Sequence, residues 1–566
     1  MNTLFRHVRW PEALKPLAGA VFRRLWLVWL VANTVMWAND VAAGWLMTSL
    51  TTSPLLVALV QAASTLPVFL LGVPSGALAD ILDRRRWFAM TQLWVVVVGI
   101  ALAVASFTET LDATWLLVLT FLHGIGLALR WPVFAAITPE IVPRSELPAA
   151  LALNGISMNG SRIVGPILAG ALIASLGPSA VFILNALLSL GATWAILRWR
   201  REVTTRALPA ERFFGAIRVG LQFVRQSPPL QAAMWRAALF FLNAVPQMAL
   251  LPLLARSLPG GNAATYTLLL ALMGLGAIVG VLVLPRFRDT YSRNQLVVRA
   301  SLLNAAAALI VATAPNIWVA APAMLIAGVG WIGAANTMTV AAQLGLPDWI
   351  RARGMAIFQM SMMGGSALGA AIWGKVAEQT ELHGTLIAAA LMSSLTAVLV
   401  ARRFALSDHR PADLQPARDW HAPQADRSMD MSRGPVMVTI EYVVEPAKVD
   451  AFVALMVESR RHRLRNGALS WELFRDSAEP DRFVEWFLDE SWVGHLRQHE
   501  RLTEADLELR AKKYALHVGE TPPRVLRMIA HPLEPLEPLE PSEPSEPSEP
   551  QGTKPGESTL YPASRI

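Results

Sequence analysis

Three ionisable residues lie inside long apolar stretches of the sequence: Asp40, Arg130 and Arg162. A charge deep in a bilayer costs several kcal/mol, so such residues are functional candidates. At a helical rise of about 1.5 Å per residue, Asp40 and Arg162 lie at a similar depth, and Arg130 lies nearer the end of its stretch. We predict that Asp40 exchanges protons and that Arg162 is its partner or the contact for an anionic substrate. The alternative is a structural ion pair that holds this part of the molecule together.

The stretches that must position these residues are long enough to cross a membrane. Residues 1–404 contain 29 Lys and Arg and 14 Asp and Glu, whereas residues 405–566 contain 20 and 28. Twelve apolar stretches recur between residues 22 and 404, and about 20 residues suffice to span a bilayer. For this part, the composition excludes a soluble enzyme, a disulfide-stabilised scaffold and a disordered chain. It predicts an all-α polytopic membrane protein followed by a soluble appendage.

Arginines of the first part cluster in alternate connections, after the second, sixth and eighth stretches, and the opposite connections carry almost none. By the positive-inside rule, both termini of this multi-pass membrane protein are predicted to lie in the cytoplasm. The excess of 15 positive charges, 29 less 14, therefore reflects topology and contacts with the lipid bilayer. It does not indicate a nucleic acid partner.

Glycine, proline and asparagine residues recur at a constant offset of 204 residues. The repeat predicts two homologous six-helix halves, residues 15–198 and 231–404, joined by a cytoplasmic linker at 199–230. Within the linker, residues 213–224 have an amphipathic pattern that we expect on the membrane surface. Two parallel six-helix halves are typical of transporters, which hold their substrate near the membrane midplane. Pairs at this offset include Asn39 and Asn243, Gly165 and Gly369, and Gly170 and Gly374.

Polar residues within the stretches are candidates for lining a substrate cavity. Hydrogen bonding between packed helices is the alternative for each of them. The second half has no charges that match Asp40 and Arg162, so any coupling chemistry is expected in the first half. The residues that we assign to the cavity are Asn39, Arg130, Asn154, Asn243 and Gln247.

Residues 76–86, between the second and third stretches, read Gly-Ala-Leu-Ala-Asp-Ile-Leu-Asp-Arg-Arg-Arg. They resemble the signature loop of the major facilitator superfamily, G-x-L-A-D-R-x-G-R-[RK], with Ile81 and Asp83 in place of an Arg and a Gly. The resemblance implies a gating loop, in which a glycine permits close helix packing and the aspartate accepts hydrogen bonds across the interface between the halves. The gating residues so implied are Gly76, Asp80, Arg84 and Arg85.

Two further segments extend this resemblance over residues 15–405. Gly165, Pro166 and Gly170 resemble the antiporter motif of the superfamily, where small residues let helices approach closely and the proline bends the helix. Thr120 stands where an arginine is usual in the fourth helix, so the proton role of that arginine does not carry over. Residues 142–150 resemble the branch that includes the bacterial enterobactin exporter and transmembrane secretion effectors.

After a linker at 405–433, residues 434–531 have the pattern of a soluble α+β domain. Strands at 436–444, 468–475, 483–489 and 524–529 and helices at 446–465 and 491–513 give the order βαββαβ, which predicts a ferredoxin-like sandwich. This part resembles the antibiotic-biosynthesis-monooxygenase fold in Trp471-Glu472, Phe483-Val484-Glu485 and the spacing of Trp492 and His495. That resemblance implies dimerisation through the sheets. Residues 532–566 form an acidic Glu-Pro tail, an extended spacer.

His495 and His499 are one helical turn apart in this domain and have two interpretations. With Trp471 and Trp486 they could line an enzymatic pocket, or they could belong to a solvated helix face. We favour a regulatory, substrate-handing or dimerising role, and no catalytic residue, metal site or cofactor is predicted.

Together these features predict a secondary active transporter of the major facilitator fold. It would export a small amphiphilic molecule, such as a siderophore, by proton antiport and alternating access. The expected partners are that small-molecule substrate, protons, the lipid bilayer and a second copy bound through the C-terminal domain. The sequence lacks a GxxxxGK[ST] phosphate-binding loop, so ATP drive is not expected. A broad-specificity multidrug or antibiotic efflux pump and a membrane-tethered monooxygenase-like enzyme are the alternatives.

Overall fold

The computed structural model describes residues 11–143, 145–199, 213–347, 349–406, 417 and 433–531. Within these residues, twelve helical spans are long and apolar enough to cross a membrane, which confirms the predicted fold class. The first six are α1 (Ala20–Leu50), α2 (Pro54–Ile81), α3 (Arg84–Phe107), α4 (Ala113–Ile141), α5 (Leu147–Leu176) and α6 (Pro178–Leu197). A short helix, α7 (Phe213–Arg225), follows. The last six spans comprise α8 (Pro228–Ala244), α9 (Pro246–Ala249), α10 (Leu251–Ser257), α11 (Ala263–Arg288), α12 (Arg293–Ala312), α13 (Ile317–Leu344), α14 (Arg351–Gln379) and α15 (Leu382–Arg403).

The seventh span is broken, whereas the sequence predicts one continuous apolar run. Helices α8, α9 and α10 succeed one another, with Pro246 and Pro252 in the first turns of α9 and α10. A proline cannot donate a backbone hydrogen bond to the preceding turn, so each one ends the helix before it. The corresponding span of the first half, α1, runs unbroken through Asp40. The two halves therefore differ in backbone at the level of this carboxylate.

The two halves meet along two helix pairs, α2 with α14 and α5 with α11. Small residues permit both approaches. A Cβ added to Gly72 of α2 would lie 2.6 Å from Cγ of Met360, and one added to Gly274 of α11 would lie 2.7 Å from Cγ1 of Ile163. Such close backbone contact is how membrane helices pack without a hydrophobic driving force.

Helix α7 lies between the membrane part and the soluble domain. It packs against α2 and α14 on one side and against a helix of the soluble domain, α16 (Val449–Arg465), on the other. Val219 and Phe223 are buried in these contacts. The expectation of an amphipathic helix on the membrane surface is therefore wrong in one respect, because its apolar face is covered by protein.

The soluble domain is fixed to α7 by polar contacts. Arg218 forms an ion pair with Glu490 at 2.7 Å, and Gln222 Nε2 donates a hydrogen bond of 2.6 Å to the carbonyl oxygen of Ala468. Since α7 also contacts both halves, it connects the soluble domain to the interface between them.

The soluble domain is an antiparallel sheet with helices on one face. Strands β1 (Val436–Val443), β2 (Ser470–Arg475), β3 (Arg482–Asp489) and β4 (Arg524–Ile529) lie in the order β2-β3-β1-β4, as expected for a ferredoxin-like sandwich. The predicted helix 491–513 is instead two helices, α17 (Trp492–Glu500) and α18 (Glu504–Ala515). The second begins at a capping box, in which Thr503 and Asp506 each accept a hydrogen bond from the backbone N–H of the other.

Candidate functional site

A cavity lies between the two halves, bounded by α1, α2 and α5 on one side and by α9, α11 and α13 on the other. The space open to the centre of a water molecule is about 60 Å³, enough for a few waters at about 10–15 Å³ each. The polar side chains that line it include Asp40, Gln61, Arg162 and Tyr266. The chamber between the halves is therefore small, with a mainly apolar lining and a few polar groups.

Asp40 and Arg162 both line this cavity, at the common depth that their positions in the sequence indicate. In the part of the chain that the structure describes, Asp40 Oδ1 is buried without a hydrogen-bond partner, and no ion pair joins it to Arg162. The guanidinium of Arg162 instead lies 5.0 Å from the ring centroid of Trp37, a cation–π contact. The expected ion pair is therefore not formed in this arrangement, although both groups face one chamber.

Tyr266 of α11 brings a phenol group from the second half to the same cavity, and sequence reasoning missed it. Its ring stacks on Trp45 of α1 with a centroid separation of 6.1 Å. Arg256 lies 4.6 Å from the ring of Trp45 and donates a hydrogen bond of 2.7 Å to Ser49 Oγ. These contacts join the halves near the end of α1. A search for charges at the repeat offset does not find Tyr266 and Trp45, because both are aromatic and neither recurs in the other half.

Two arginines of the predicted gating loop tie helices of the first half together. Arg84 forms an ion pair with Glu140 of α4 at 2.7 Å, and Arg85 donates to the carbonyl oxygen of Leu197 at the end of α6. Among the described residues, a Cβ added to Gly76 would meet no atom within 4 Å, whereas close packing occurs one turn earlier, at Gly72. The side chain of Asp80 lies outside the described residues.

The antiporter-like motif places α5 against two partners at once. A Cβ added to Gly165 would lie 2.8 Å from the carbonyl oxygen of Thr34 in α1, and Gly170 faces Thr267 of α11. Pro166 is buried between them and lines the cavity. One helix thus contacts both the neighbouring helix of its own half and the opposite half.

The polar residues assigned to a substrate cavity are not among those that line this chamber, so their assignment stays a prediction. Within the described residues, each amide forms a hydrogen bond inside its own half, while its other polar atom is buried without a partner. Asn39 accepts from Asn185 at 3.1 Å, Asn154 donates to Thr138 at 3.2 Å, Asn243 donates to Thr396 at 3.3 Å, and Gln247 donates to the sulfur of Met324 at 3.5 Å.

Arg130 forms a separate buried site in the first half. Its side chain is 1% exposed, and it donates hydrogen bonds of 3.5 Å to the side-chain oxygens of Gln92 and Asn33. The guanidinium lies 5.3 Å from the ring of Trp29, which stacks on Phe134 at 3.8 Å. Among the described side chains its partners are neutral, so it too lies apart from the cavity between the halves.

His495 and His499 of the soluble domain are not on a solvated helix face. His495 is 2% exposed, and its Nδ1 donates a hydrogen bond of 2.8 Å to Asp489. Its Nε2 lies 3.1 Å from Nε2 of His499. Trp471 points to the same side of the sheet, where it donates to Glu485 at 3.0 Å. No group of three residues suited to a metal ion occurs in the described part of the chain.

The two tryptophans that were expected to share a pocket lie on opposite faces of the sheet. Side chains alternate along a strand, and Trp486 is adjacent to the inward-facing Glu485 on β3. Trp486 therefore faces away from the helices and from both histidines.

Several known transporters are similar to this chain in sequence. A family model described as transmembrane secretion effector matches residues 12–533. The chain is 30% identical over 244 residues to the uncharacterized MFS-type transporter YfiS of Bacillus subtilis, over 42% of this chain and 57% of the relative. It is 22% identical to the staphyloferrin A transporter of Staphylococcus aureus, over 44% and 63%. It is 24% identical to macrolide efflux protein A of Streptococcus pyogenes, over 45% and 64%. The matches thus span about three fifths of these relatives.

Solved structures share the fold at low identity. A bacterial homolog of the human lysosomal transporter Spinster, in an inward-facing and unoccupied conformation, superposes with a TM-score of 0.54 at 14% identity, over 68% of this chain and 97% of that one. A POT family transporter in complex with 5-aminolevulinic acid gives 0.57 at 11% identity, over 68% and 96%. With twelve spans in this fold and a family model that covers most of its length, the chain belongs to the transmembrane secretion effector family of the major facilitator superfamily.

Proposed function

We propose that the chain exports a small amphiphilic molecule across the bacterial cytoplasmic membrane by proton antiport. The observation that carries this proposal is the chamber between the halves, where Asp40 Oδ1 is buried without a partner and Arg162 lies against Trp37. A carboxylate that no protein cation neutralises can take up a proton, and an unpaired guanidinium can hold an anionic group. The same chamber can therefore exchange a proton for a substrate anion.

Alternating access would come from relative movement of the halves around this chamber. With both termini in the cytoplasm, the end of α1 that carries Ser49 faces outward. Its hydrogen bond with Arg256, and the bond of 2.9 Å from Ser53 to Glu378, would then close the outer side. This proposal includes the division of the chain into two halves, residues 15–198 and 231–404, a linker at 199–230 and a soluble domain at 434–531.

For the substrate we favour an acidic metabolite such as a siderophore, as in the siderophore-exporting branch that the sequence resembles. The relatives include both a staphyloferrin A transporter and a macrolide efflux protein, at similar identities. Arg162 favours the first class, because a guanidinium in a small chamber attracts an anion and repels a cation. A broad multidrug pump remains the second candidate, supported by the aromatic faces of Trp37 and Trp331 in the cavity.

Transport into everted membrane vesicles tests the proposal. The substrate is first identified as a metabolite that accumulates inside cells from which the gene has been deleted. Its uptake into vesicles with an acidic interior should require the pH gradient and stop when a protonophore is added. Arg162→Gln should lower the uptake of an acidic substrate by about tenfold, the effect of losing one charge-assisted contact. Uptake that continues without a gradient, or equal uptake by the variant, would contradict the mechanism.

We also propose that the soluble domain pairs with a second copy through the outer face of its sheet. This face carries apolar side chains that the described residues do not cover, among them Phe474 and Met528, 55% and 45% exposed, and Trp486 stands at its centre. Trp486→Glu is expected to convert dimers of the detergent-solubilised protein into monomers, because a charge would replace an aromatic contact. Mass photometry distinguishes the two masses. Glu508→Gln, at an exposed position of α18 on the other side of the sheet, should leave the dimer intact, and a monomeric wild-type protein would refute the idea.

A further inference from the structure

The soluble domain binds the membrane part through a polar face of α7. Arg218 and Gln222 lie one turn apart on this face, and Arg218 Nη1 donates to Gln222 Oε1 at 3.5 Å. Arg218 also forms the ion pair of 2.7 Å with Glu490, and Gln222 the hydrogen bond of 2.6 Å with Ala468. Glu490 follows β3 and Ala468 precedes β2, so α7 lies beside the same end of two antiparallel strands.

Two aromatic rings and two arginines extend this contact to the connection between α13 and α14. The rings of Phe223 in α7 and Trp349 in the connection meet edge to face, with a centroid separation of 5.8 Å. From the soluble domain, the guanidinium of Arg465 lies 5.6 Å from the Phe223 ring, and that of Arg501 lies 4.4 Å from the Trp349 ring. A guanidinium beside an aromatic ring is attracted by the charge distribution of the ring. The soluble domain therefore contacts both α7 and the second half.

Both arginines are held in place from within the soluble domain. Arg465 Nη2 lies 3.5 Å from the Asp506 carboxylate, and Arg501 Nη1 donates a hydrogen bond of 2.9 Å to the carbonyl oxygen of Asn466. Burial opposes the ionisation of Asp506, but His462 and Arg465 lower its pKa to about 2, so it is a carboxylate at neutral pH. Side chains that are already fixed lose little entropy on docking. The domain thus presents a preformed surface to the membrane part.

On its other side, α7 covers the place where α2 and α14 meet. A Cβ added to Gly220 of α7 would lie 3.6 Å from Cδ1 of Ile357 and 3.8 Å from Cβ of Arg353, in the first two turns of α14. One turn further along α14, Met360 packs against Gly72 of α2, and α7 contacts α2 as well. The positive-inside rule assigns the beginning of α14 to the cytoplasmic side. Helix α7 therefore bridges the two halves at their cytoplasmic ends.

For the chamber to open to the cytoplasm, α2 and α14 must separate at this end. The soluble domain opposes that movement, because it fastens α7 to Trp349 of the second half while α7 contacts α2 of the first. We propose that the soluble domain is a cytoplasmic clamp, which holds α7 across α2 and α14 and keeps the chamber closed towards the cytoplasm until the domain is released. This clamp rests on the alternating access proposed above, but it is independent of the substrate and of proton coupling.

The accessibility of a thiol in the chamber measures the clamp. The chain contains no cysteine, so Met248→Cys places a single thiol in the lining of the chamber. In everted vesicles, a membrane-impermeant maleimide reaches this thiol only when the chamber opens to the cytoplasm. Adding Arg218→Glu should raise the labelling rate by about fivefold, because two like charges replace a partly exposed ion pair. Glu490→Arg should have the same effect, and the two exchanges together should restore the rate of the parent.

Two controls distinguish the clamp from a general loosening of the protein. Lys448→Glu reverses one charge of the exposed ion pair with Glu445, which belongs to the soluble domain but lies outside this interface, and it should leave the rate unchanged. In right-side-out vesicles, labelling of the same thiol from the outside should not rise in Arg218→Glu.

Three outcomes would overturn the clamp: equal labelling rates in Arg218→Glu and its parent, an equal rise from both sides of the membrane, or no restoration when the two charges are exchanged together. A failure of proton antiport would be seen separately, as substrate uptake that does not depend on the pH gradient, and it would leave these labelling rates as expected here.

Discussion

Asp40→Asn is expected to abolish export driven by a proton gradient, lowering its initial rate by at least about tenfold, which corresponds to about 1.4 kcal/mol. Asparagine keeps the size and polarity of the side chain but cannot carry a proton. Everted vesicles with an imposed pH gradient measure the loss, and exchange of labelled for unlabelled substrate without a gradient should persist. Asp112→Asn is the matched control. Asp112 caps the N-terminus of α4, and asparagine is an equally good N-cap residue. Unchanged gradient-driven export by Asp40→Asn would refute the coupling role.

The thermal stability of Asp40→Asn distinguishes a coupling role of Asp40 from a structural one. Breaking a buried ion pair costs about 3–5 kcal/mol, because the remaining charge is left without a partner. In the structure, however, Asp40 Oδ1 has no hydrogen-bond partner among the described residues, and Arg162 contacts Trp37 instead. We therefore expect the melting temperature of Asp40→Asn to equal or exceed that of the wild-type protein. A variant that loses both transport and several degrees of stability would favour the structural ion pair.

The membrane part could be predicted because its signals are local. A bilayer demands about 20 apolar residues per span, so twelve spans are visible in composition alone. The breaks at Pro246 and Pro252 were not predicted, because both prolines lie within an apolar run and a proline can bend a membrane helix without ending it. Depth, too, follows from counting residues along a helix. This is why Asp40 and Arg162 could be assigned one level from the sequence.

The direction in which a side chain points around its helix axis could not be predicted by counting residues. Asn39 and Asp40 are neighbours in sequence, yet Asn39 hydrogen-bonds to Asn185 inside the first half whereas Asp40 faces the cavity. Successive residues point about 100° apart on a helix of 3.6 residues per turn. Which face meets the other half is decided by packing, and a nearly uniform apolar sequence carries little record of it. The same limitation hid Tyr266 as a member of the site.

In the soluble domain, the period of two in the strands was sufficient to predict the sheet, but the partners of the histidines were not predicted. His495 and Asp489 are six residues apart, across the connection from β3 to α17. Their contact depends on the angle between strand and helix, which sequence spacing does not define. A helix with His at i and i+4 beside arginines looks solvated until the sheet that covers it is known.

His499 makes the soluble domain sensitive to acid well above the range in which carboxylates titrate. Its pKa is about 3 in the folded domain and about 6.5 when unfolded, so below pH 6.5 the unfolded state binds more protons. Stability is therefore highest above pH 6.5 and should fall by up to about 1.4 kcal/mol per unit as the pH decreases towards 3. The lowered pKa values of Asp506 and Glu485, which neighbouring cations hold low despite burial, reduce stability only below about pH 5. The effect of His499, whose pKa burial lowers, is therefore measured between pH 6.5 and 5, by comparison with a variant at this position.

His499→Gln should flatten this dependence, because glutamine retains hydrogen bonding and does not titrate. The chain contains no cysteine, so Val436→Cys, at a fully buried position of β1, gives a single thiol whose labelling rate in the full-length protein reports unfolding of the domain. In the wild-type background that rate should rise as the pH falls from 6.5 to 5. The control variant His531→Gln, near the end of the domain, should show the same rise as the wild-type protein. An equally steep rise in His499→Gln would assign the sensitivity elsewhere.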